Sequence, residues 1–456
     1  MCNIRCEIST LRPSYYKISA YARACGSLKF WVFYVGRMVE AWLPYGKTEI
    51  AVRVSDENLL GILKGDEKEG VVDPHRLINE AIETPLNNAR TLDNLITQNQ
   101  SIAIVVDDKT RPAPTKLMLT SLIQKLQKLD ISAEQVHVII GTGAHSMISE
   151  EARILLGEEL FKAVHVHIHN SQAKDHIHVG RTSFGTKVSV NKVFMDADIR
   201  ILTGDIGFHY FAGYSGGRKS VLPAIVGHET IQHNHSLLVD PRATTGRLDE
   251  NPVHEDMNEA LDLVNIDFAI NIVQNSSHQL VKAFAGDVKE IFQEGVKVID
   301  SMYKVSVDTL ADIVIVSPGG YPYDIDLYQA YKGIDSALNV VNKNGVIILI
   351  AECLEGYSNQ IFYEWMQRFR SFSRIRREIK RNFVLGGHKA YYLMNALEKA
   401  KIILVSVMPD YYATGVFKLR TSKTANAALR SALRIVGRDR NIYIIPHGAT
   451  TLPIIS

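Results

Sequence analysis

The sequence predicts an α/β fold, with two α/β domains built on parallel-rich sheets and an active-site cleft between them. Three observations predict it. Short continuous apolar runs recur, such as Ile102-Ala103-Ile104-Val105-Val106 and Ile313-Val314-Ile315-Val316, which suit strands buried on both faces. These runs alternate with stretches of helical apolar spacing, such as Leu117, Leu119, Leu122, Ile123, Leu126 and Leu129. Several runs end in glycine-bearing turns (Gly141-Thr142-Gly143, Thr203-Gly204, Pro318-Gly319-Gly320), as strand–helix–strand units with parallel crossovers do.

The elements follow in order. Residues 1–37 differ from the rest, with six Lys/Arg against the single acid Glu7, and read as an extension upstream of a true start at Met38. Glu49 to Ser55 alternates like a half-buried strand. Strands are expected at 101–106, 136–140 and 198–202, with a helix at 116–129 between the first two. A second unit begins near residue 310, with strands at 312–317, 345–350, 401–405 and 441–445 and helices at about 326–341 and 424–436. The expected division is 38–305 as an N-terminal cofactor-binding domain and 306–436 as a C-terminal domain, with the tail 437–456 rejoining the first.

Composition excludes several classes. In 456 residues, 46% are hydrophobic and 22% charged, ordinary for a globular chain and not for a disordered or fibrous one. The 51 basic and 49 acidic side chains leave +2, so no global charge points to nucleic acid. No apolar run approaches the ~20 residues of a membrane span. Four cysteines without a CxxC pair suit a reducing, cytoplasmic setting and neither a disulfide scaffold nor a cysteine-ligated zinc site.

The chemistry sits on loops that mostly follow strand ends. The densest is Gly207-Phe208-His209-Tyr210-Phe211-Ala212-Gly213-Tyr214-Ser215-Gly216-Gly217-Arg218-Lys219-Ser220. Its glycines permit close backbone approach, and a lysine beside Arg218 is a candidate for a lowered pKa and a covalent link. A solvated Arg-Lys turn is the plainer alternative. A Walker A loop fails because Arg218 stands where glycine is required. Gly213-Tyr214-Ser215-Gly216-Gly217 fits GxSxG, so a serine hydrolase using Ser215 is an alternative, although the nearest apolar strand ends well before it. Gln232-His233-Asn234-His235 offers a weak metal pair. His165, His167 and His169 alternate on a strand, where a polar face is the commoner explanation. In Asp107 to Pro114, an aspartate three residues before Arg111 can orient its guanidinium toward a carboxylate. His145, just past a strand end, suits acid–base work. Tyr328 and Lys332 share a helix face.

Taken together, DDKTRPAP (107–114), GTGAH (141–145), GFHYFAGYSGGRKS (207–220), QHNH (232–235) and YQAYK (328–332) resemble the nickel-dependent lactate racemase (LarA) family, over nearly the whole chain from Met38. The resemblance implies a racemase or epimerase of 2-hydroxy acids, with lactate as the default. It implies a nickel-pincer nucleotide, a pyridinium-3,5-bisthiocarboxylate mononucleotide holding nickel, tethered to Lys219, with His235 as metal ligand and Asp108, Arg111, Ser215, Gly216 and Gly217 lining the cofactor. His145 and His209 would be the catalytic pair. Arg111, oriented by Asp108, and Lys332 would hold the substrate carboxylate, assisted by Tyr328 and Gln329. Cofactor-synthesis enzymes would be transient partners; nucleic acid and membrane would not. Ser146 and Ala224 depart from the family pattern, at positions where a basic residue and a glycine are usual. A non-catalytic member binding a nucleotide or 2-hydroxy acid is the other alternative.

Overall fold

The computed structural model describes residues 19–20, 31–35, 37–111 and 113–456. Most of the 1–37 segment lies outside them; within it, Trp31–Val35 pairs antiparallel with Met38–Tyr45, in the register Val35↔Met38.

Two six-stranded sheets organise the chain. In the first the strand order is Leu280–Gly286, Phe268–Gln274, Ile199–Asp205, Ile102–Asp107, Val136–Gly141, His165–Ile168. All neighbours are parallel except the antiparallel first pair. Alternation splits each strand between two apolar layers. Ile102, Ile104, Val106, Val138, Ile201 and Ile270 pack toward Ile78 and Ile82 of helix Pro74–Glu83 and Leu119 and Leu122 of helix Thr115–Lys128. Ala103, Val105, Ile139 and Leu202 face the other way, into a second cluster.

The second sheet is wholly parallel, in the order Arg420–Ser422, Lys401–Val405, Val341–Ile350, Ala311–Val316, Ile442–Ile445, Leu59–Ile62. One face carries Ile313, Ile315, Ile348 and Ile444. It is covered by Ala428, Leu429 and Ala432 of helix Ala425–Val436 and by Ala41, Leu43, Val52 and Val54 of the hairpin Met38–Tyr45/Thr48–Ser55. The other face, with Val314, Val316, Ile347 and Leu404, joins the same apolar cluster as Ala103 and Val105 of the first sheet. One continuous core therefore ties the two halves together.

Two expectations change. The tail does not simply return to the first domain. Ile442–Ile445 sits inside the second sheet, between Ala311–Val316 and Leu59–Ile62, and only Leu452–Ile455 turns back, pairing with Lys304–Val307 at the boundary. Residues 38–62 likewise serve the second sheet, through the hairpin and the edge strand Leu59–Ile62. The reason is apolar burial: a two-sided parallel sheet needs cover on both faces and at its edges, whichever part of the chain supplies it. Among the described residues no helix is long and apolar enough to cross a membrane.

Candidate active site

Four of the parallel strands of the first sheet, Ile102–Asp107, Val136–Gly141, Ile199–Asp205 and Phe268–Gln274, point their carboxyl ends toward one cavity of about 560 Å³, which the second half of the chain closes from the far side. This is where open α/β sheets bind ligands. Asp107, Asp108 and Arg111 follow strand Ile102–Asp107; Gly141 to His145 follow Val136–Gly141; Asp205 to His209 follow Ile199–Asp205. The opposite wall comes from helix Leu327–Leu338, with Tyr328, Gln329 and Lys332, and from Phe383, His388 and Lys389. Asp326 caps the first of these helices by accepting from the Gln329 N–H at 2.7 Å, which fixes where its first turn meets the cavity.

His145, His209, Lys219 and His235 thus share one cavity with Asp108, Arg111, Ser215, Gly216, Tyr328, Gln329 and Lys332. Gly217 is not on its wall: its N–H donates to Asn271 Oδ1 at 2.9 Å, and its Cα side faces Phe292.

The two imidazoles are held differently. His145 Nδ1 lies 2.9 Å from Asp108 Oδ2 and 3.3 Å from Thr110 Oγ1. Asp108 Oδ1 accepts from the Thr110 N–H and hydroxyl at 3.1 and 2.6 Å. Burial works to raise the Asp108 pKa, but the hydrogen bonds from His145 and Thr110 outweigh it and hold the group below its usual value. An ionised Asp108 accepts a hydrogen bond from the Nδ1–H of His145, which leaves Nε2 with a free lone pair. His209 accepts at Nδ1 from the Ala212 N–H at 3.3 Å, so its neutral form carries the proton on Nε2. Its ring stacks on Tyr210 (4.9 Å, 13°) and meets the Phe211 ring edge-on (4.5 Å, 89°). Burial, then Lys219 and Arg111, push its pKa well below the histidine norm.

Asp108 is therefore the partner of His145, not of Arg111 as the sequence spacing suggested. Arg111 and Asp108 share only a backbone turn, Arg111 N–H to Asp108 O at 3.1 Å. The short carboxylate is already saturated by His145 and Thr110.

Lys219 lies on the 3₁₀ turn Gly217–Ser220 and is 8% exposed. Its ammonium position makes no hydrogen bond or ion pair among the described residues and faces the Phe211 ring at 5.7 Å. Burial first, then Arg111 and Arg218, drive its pKa well below 10.5, while Asp107 pulls weakly the other way. A shift in that direction favours the neutral amine, which is the nucleophilic form. Arg218 itself turns inward: its guanidinium donates to Ala212 O at 2.7 Å and lies 4.4 Å over Phe292, stapling the glycine loop.

His235 ends helix His228–Ser236. Its Nδ1 faces Asn234 Oδ1 at 3.0 Å, and the Asn234 amide donates to Asp256 Oδ2 at 2.8 Å. That relay sets the Nδ1–H tautomer and leaves Nε2 as a donor to a soft metal. Edge contacts with Phe211 and Phe383 hold the ring. Among the described residues no group of three or more His, Cys, Asp or Glu could hold a metal ion by itself. The His137–His165–His167 cluster pairs instead, His137 Nδ1 to His167 Nε2 at 3.1 Å, and His169 closes on Val226 O at 3.0 Å beyond its strand.

Ser215 does not form a nucleophile elbow. Its Oγ accepts from the Gly207 N–H and donates to Asp205 O, both at 2.9 Å, and no imidazole is hydrogen-bonded to it. Sequence reasoning missed Thr110, Tyr210, Asp205, His388 and Lys389. Tyr210 adjoined a flagged histidine. Asp205 ended a flagged strand. His388-Lys389 followed the pair Gly386-Gly387 but carried no spacing link to the other loops.

Residues 45–246 match the lactate racemase N-terminal domain and residues 307–452 the lactate racemase C-terminal domain. The lactate racemase of Thermoanaerobacterium thermosaccharolyticum is 33% identical over 427 residues, 91% of this chain and 99% of that one. The lactate racemase of Lactiplantibacillus plantarum is 28% identical over 428 residues, 90% and 99%. The solved lactate racemase apoprotein from T. thermosaccharolyticum superposes with a TM-score of 0.83 at 32% identity, covering 91% of this chain and 99% of that chain. A Thermotoga maritima protein shares the fold at a TM-score of 0.59 and 19% identity, over 86% of this chain and 100% of its own. A two-domain α/β enzyme with an isomerase site in its cleft is the class these findings define. The chain belongs to the lactate racemase family, and is an isomerase of the racemase type.

Proposed function

We propose that this protein inverts the C2 centre of a 2-hydroxy acid, with lactate as the default substrate from the names of its relatives, using a nickel-pincer nucleotide tethered to Lys219. The observation that carries the reading is the pair of imidazoles, His145 and His209, sharing one cavity with a buried lysine that makes no hydrogen bond among the described residues and a histidine whose Nε2 is free. The residues fit the group. Lys219 offers an unbonded amine for the tether, and His235 offers an oriented imidazole to nickel, a metal that accepts nitrogen and sulfur donors in square-planar sites. When bound, that group supplies a hydride acceptor and donor for C2.

The chain supplies the rest. Arg111 and Lys332 grip the substrate carboxylate, with Gln329 and Tyr328 beside them. For the enantiomer whose hydroxyl meets His145, Nε2 takes the hydroxyl proton, and Asp108 stabilises the imidazolium through Nδ1. His209 would serve the hydroxyl of the opposite enantiomer, taking its proton at the nitrogen that gives up the 3.3 Å contact with the Ala212 N–H. The aromatic walls around His209 and His235 keep water from the exchanged proton. A cytoplasmic setting, in keeping with four cysteines and no CxxC pair, and transient contact with cofactor-synthesis enzymes belong to the same reading.

The test is to produce the protein together with the cofactor-synthesis enzymes and nickel. Its intact mass should show an adduct, absent in Lys219→Ala, and a chiral assay should show interconversion of 2-hydroxy acid enantiomers. An active Lys219→Ala protein without adduct would refute the tether.

A further inference from the structure

One buried cation in the cleft has no role in that chemistry. Lys389, on helix Gly387–Lys399 of the second half, is 3% exposed and lines the cavity. Its Nζ makes no hydrogen bond and no ion pair among the described residues. It sits among three tyrosine rings instead, 4.5 Å from Tyr210, 5.0 Å from Tyr331 and 5.1 Å from Tyr328. The two carboxylates that act on it are engaged elsewhere, Asp335 Oδ2 with Thr245 Oγ1 at 2.7 Å and Asp326 Oδ1 with the Gln329 N–H at 2.7 Å. Aromatic faces stabilise a cation only in part, and an interior ammonium without a counter-charge is unfavourable. Its cost shows in the Lys389 pKa, lowered to about 7 by burial and then by Lys332.

A second donor stands beside it. The Gly386 N–H donates to His388 Nδ1 at 3.1 Å, so His388 carries its proton on Nε2 and donates it to Tyr210 Oη at 2.7 Å. The Tyr210 hydroxyl proton is then free for a ligand. Tyr328, one of the three rings, lies one helical turn before Lys332, so this corner adjoins the carboxylate grip of Arg111 and Lys332.

We propose that Lys389 and the Tyr210 hydroxyl form a second anion subsite in the cleft, taking a carboxylate at the far end of the substrate, and that the preferred substrate is a 2-hydroxy dicarboxylic acid. The proposal rests on the racemase reading and deepens it. A monocarboxylate already held by Arg111 and Lys332 leaves the third cation unpaired, whereas a second carboxylate pairs it and accepts from Tyr210. The same oxygens are offered by the phosphate of a bound nucleotide, and the test separates the two sources.

The measurement compares the loaded enzyme and its Lys389→Met and Lys389→Arg variants on lactate and on 2-hydroxybutanedioate in a chiral assay, with adduct occupancy by intact mass for each. The expected result is a higher kcat/KM on the dicarboxylate than on lactate for the unaltered enzyme. Lys389→Met should lower that ratio by about 10–100-fold, chiefly through KM, with Lys389→Arg recovering part of it and adduct occupancy maintained. A preference for lactate in the unaltered enzyme, or a ratio unmoved by Lys389→Met, would overturn the proposal. Loss of adduct in Lys389→Met with an unmoved ratio would overturn it in favour of the nucleotide phosphate. No inversion of either acid, nor of any other 2-hydroxy acid, by fully loaded enzyme would instead overturn the racemase reading beneath it.

Discussion

Two aspartates at neighbouring strand ends behave in opposite ways, and the difference is one of partners. Asp108 is ionised because His145 and Thr110 donate to it. Asp205, far from Asp108 in sequence but at the end of the neighbouring strand, has a buried Oδ1 without a hydrogen bond. Burial and then Asp107 raise its pKa to about 7. Replacing Asp108 by Asn removes the charge that supports an imidazolium at His145, and kcat/KM should fall by about 10²–10⁴. Because enantiomers have equal free energies, the fall must be the same in both directions; initial rates from each enantiomer check it. For Asp205 the sign runs the other way. The folded state keeps a proton that an unfolded aspartate releases near pH 4, so this group's contribution to stability falls as pH rises from about 4 to about 7. Asp205→Asn abolishes that titration. Its melting temperature should exceed the parent's at about pH 8 and approach it near about pH 4.5, measured by thermal unfolding of the cofactor-free protein. A gain of equal size at both pH values would show that the effect is not ionisation.

At the scale of elements, the glycine loop is held to the sheet by backbone geometry that side chains cannot share. Gly216 has φ +77°, and a Cβ there would stand 2.7 Å from Ile206 Cγ1 and 2.8 Å from Asn271 Oδ1. The strand Ile199–Asp205, the strand Phe268–Gln274 that carries Asn271, and the turn Gly217–Ser220 converge at that point. Gly216→Ala should therefore cost about 1–3 kcal/mol, from strain and displacement of the Asn271 contact. Denaturant unfolding reads it as a lowered midpoint with an unchanged slope. A loss below about 0.5 kcal/mol would mean that the loop adapts without strain. The same convergence aims Lys219 at the cavity: Arg218 is drawn inward over Phe292, and the next residue points to the opposite side.

For the whole molecule, the second sheet is completed by chain that precedes the first. Without Met38–Tyr45, Thr48–Ser55 and Leu59–Ile62, residues 307–456 would expose the face carrying Ile313, Ile315, Ile348 and Ile444 and leave Ile442–Ile445 as a bare edge. That fragment produced alone should aggregate and show no cooperative unfolding, and supplying residues 38–64 should restore a soluble, cooperative species. A monomeric fragment 307–456 with a sharp transition would refute this. Its strands were nonetheless legible one by one. Apolar runs of five or six residues between turns can be satisfied only by strands buried on both faces, and Ala311–Val316, Lys401–Val405 and Ile442–Ile445 lie within a residue of their expected bounds. The glycine-bordered loops that carry His145, His209 and Lys219 were legible as candidates for the same local reason, since strand ends and unusual residue types are written in neighbouring positions; His235, on the helix His228–Ser236, stood out only through the family resemblance. Partners were not. Whether Asp108 meets Arg111 or His145, which sheet takes Ile442–Ile445, and whether Lys389 reaches the cleft depend on contacts between residues far apart in the chain, and burial over the assembled fold, not local spacing, chooses among them.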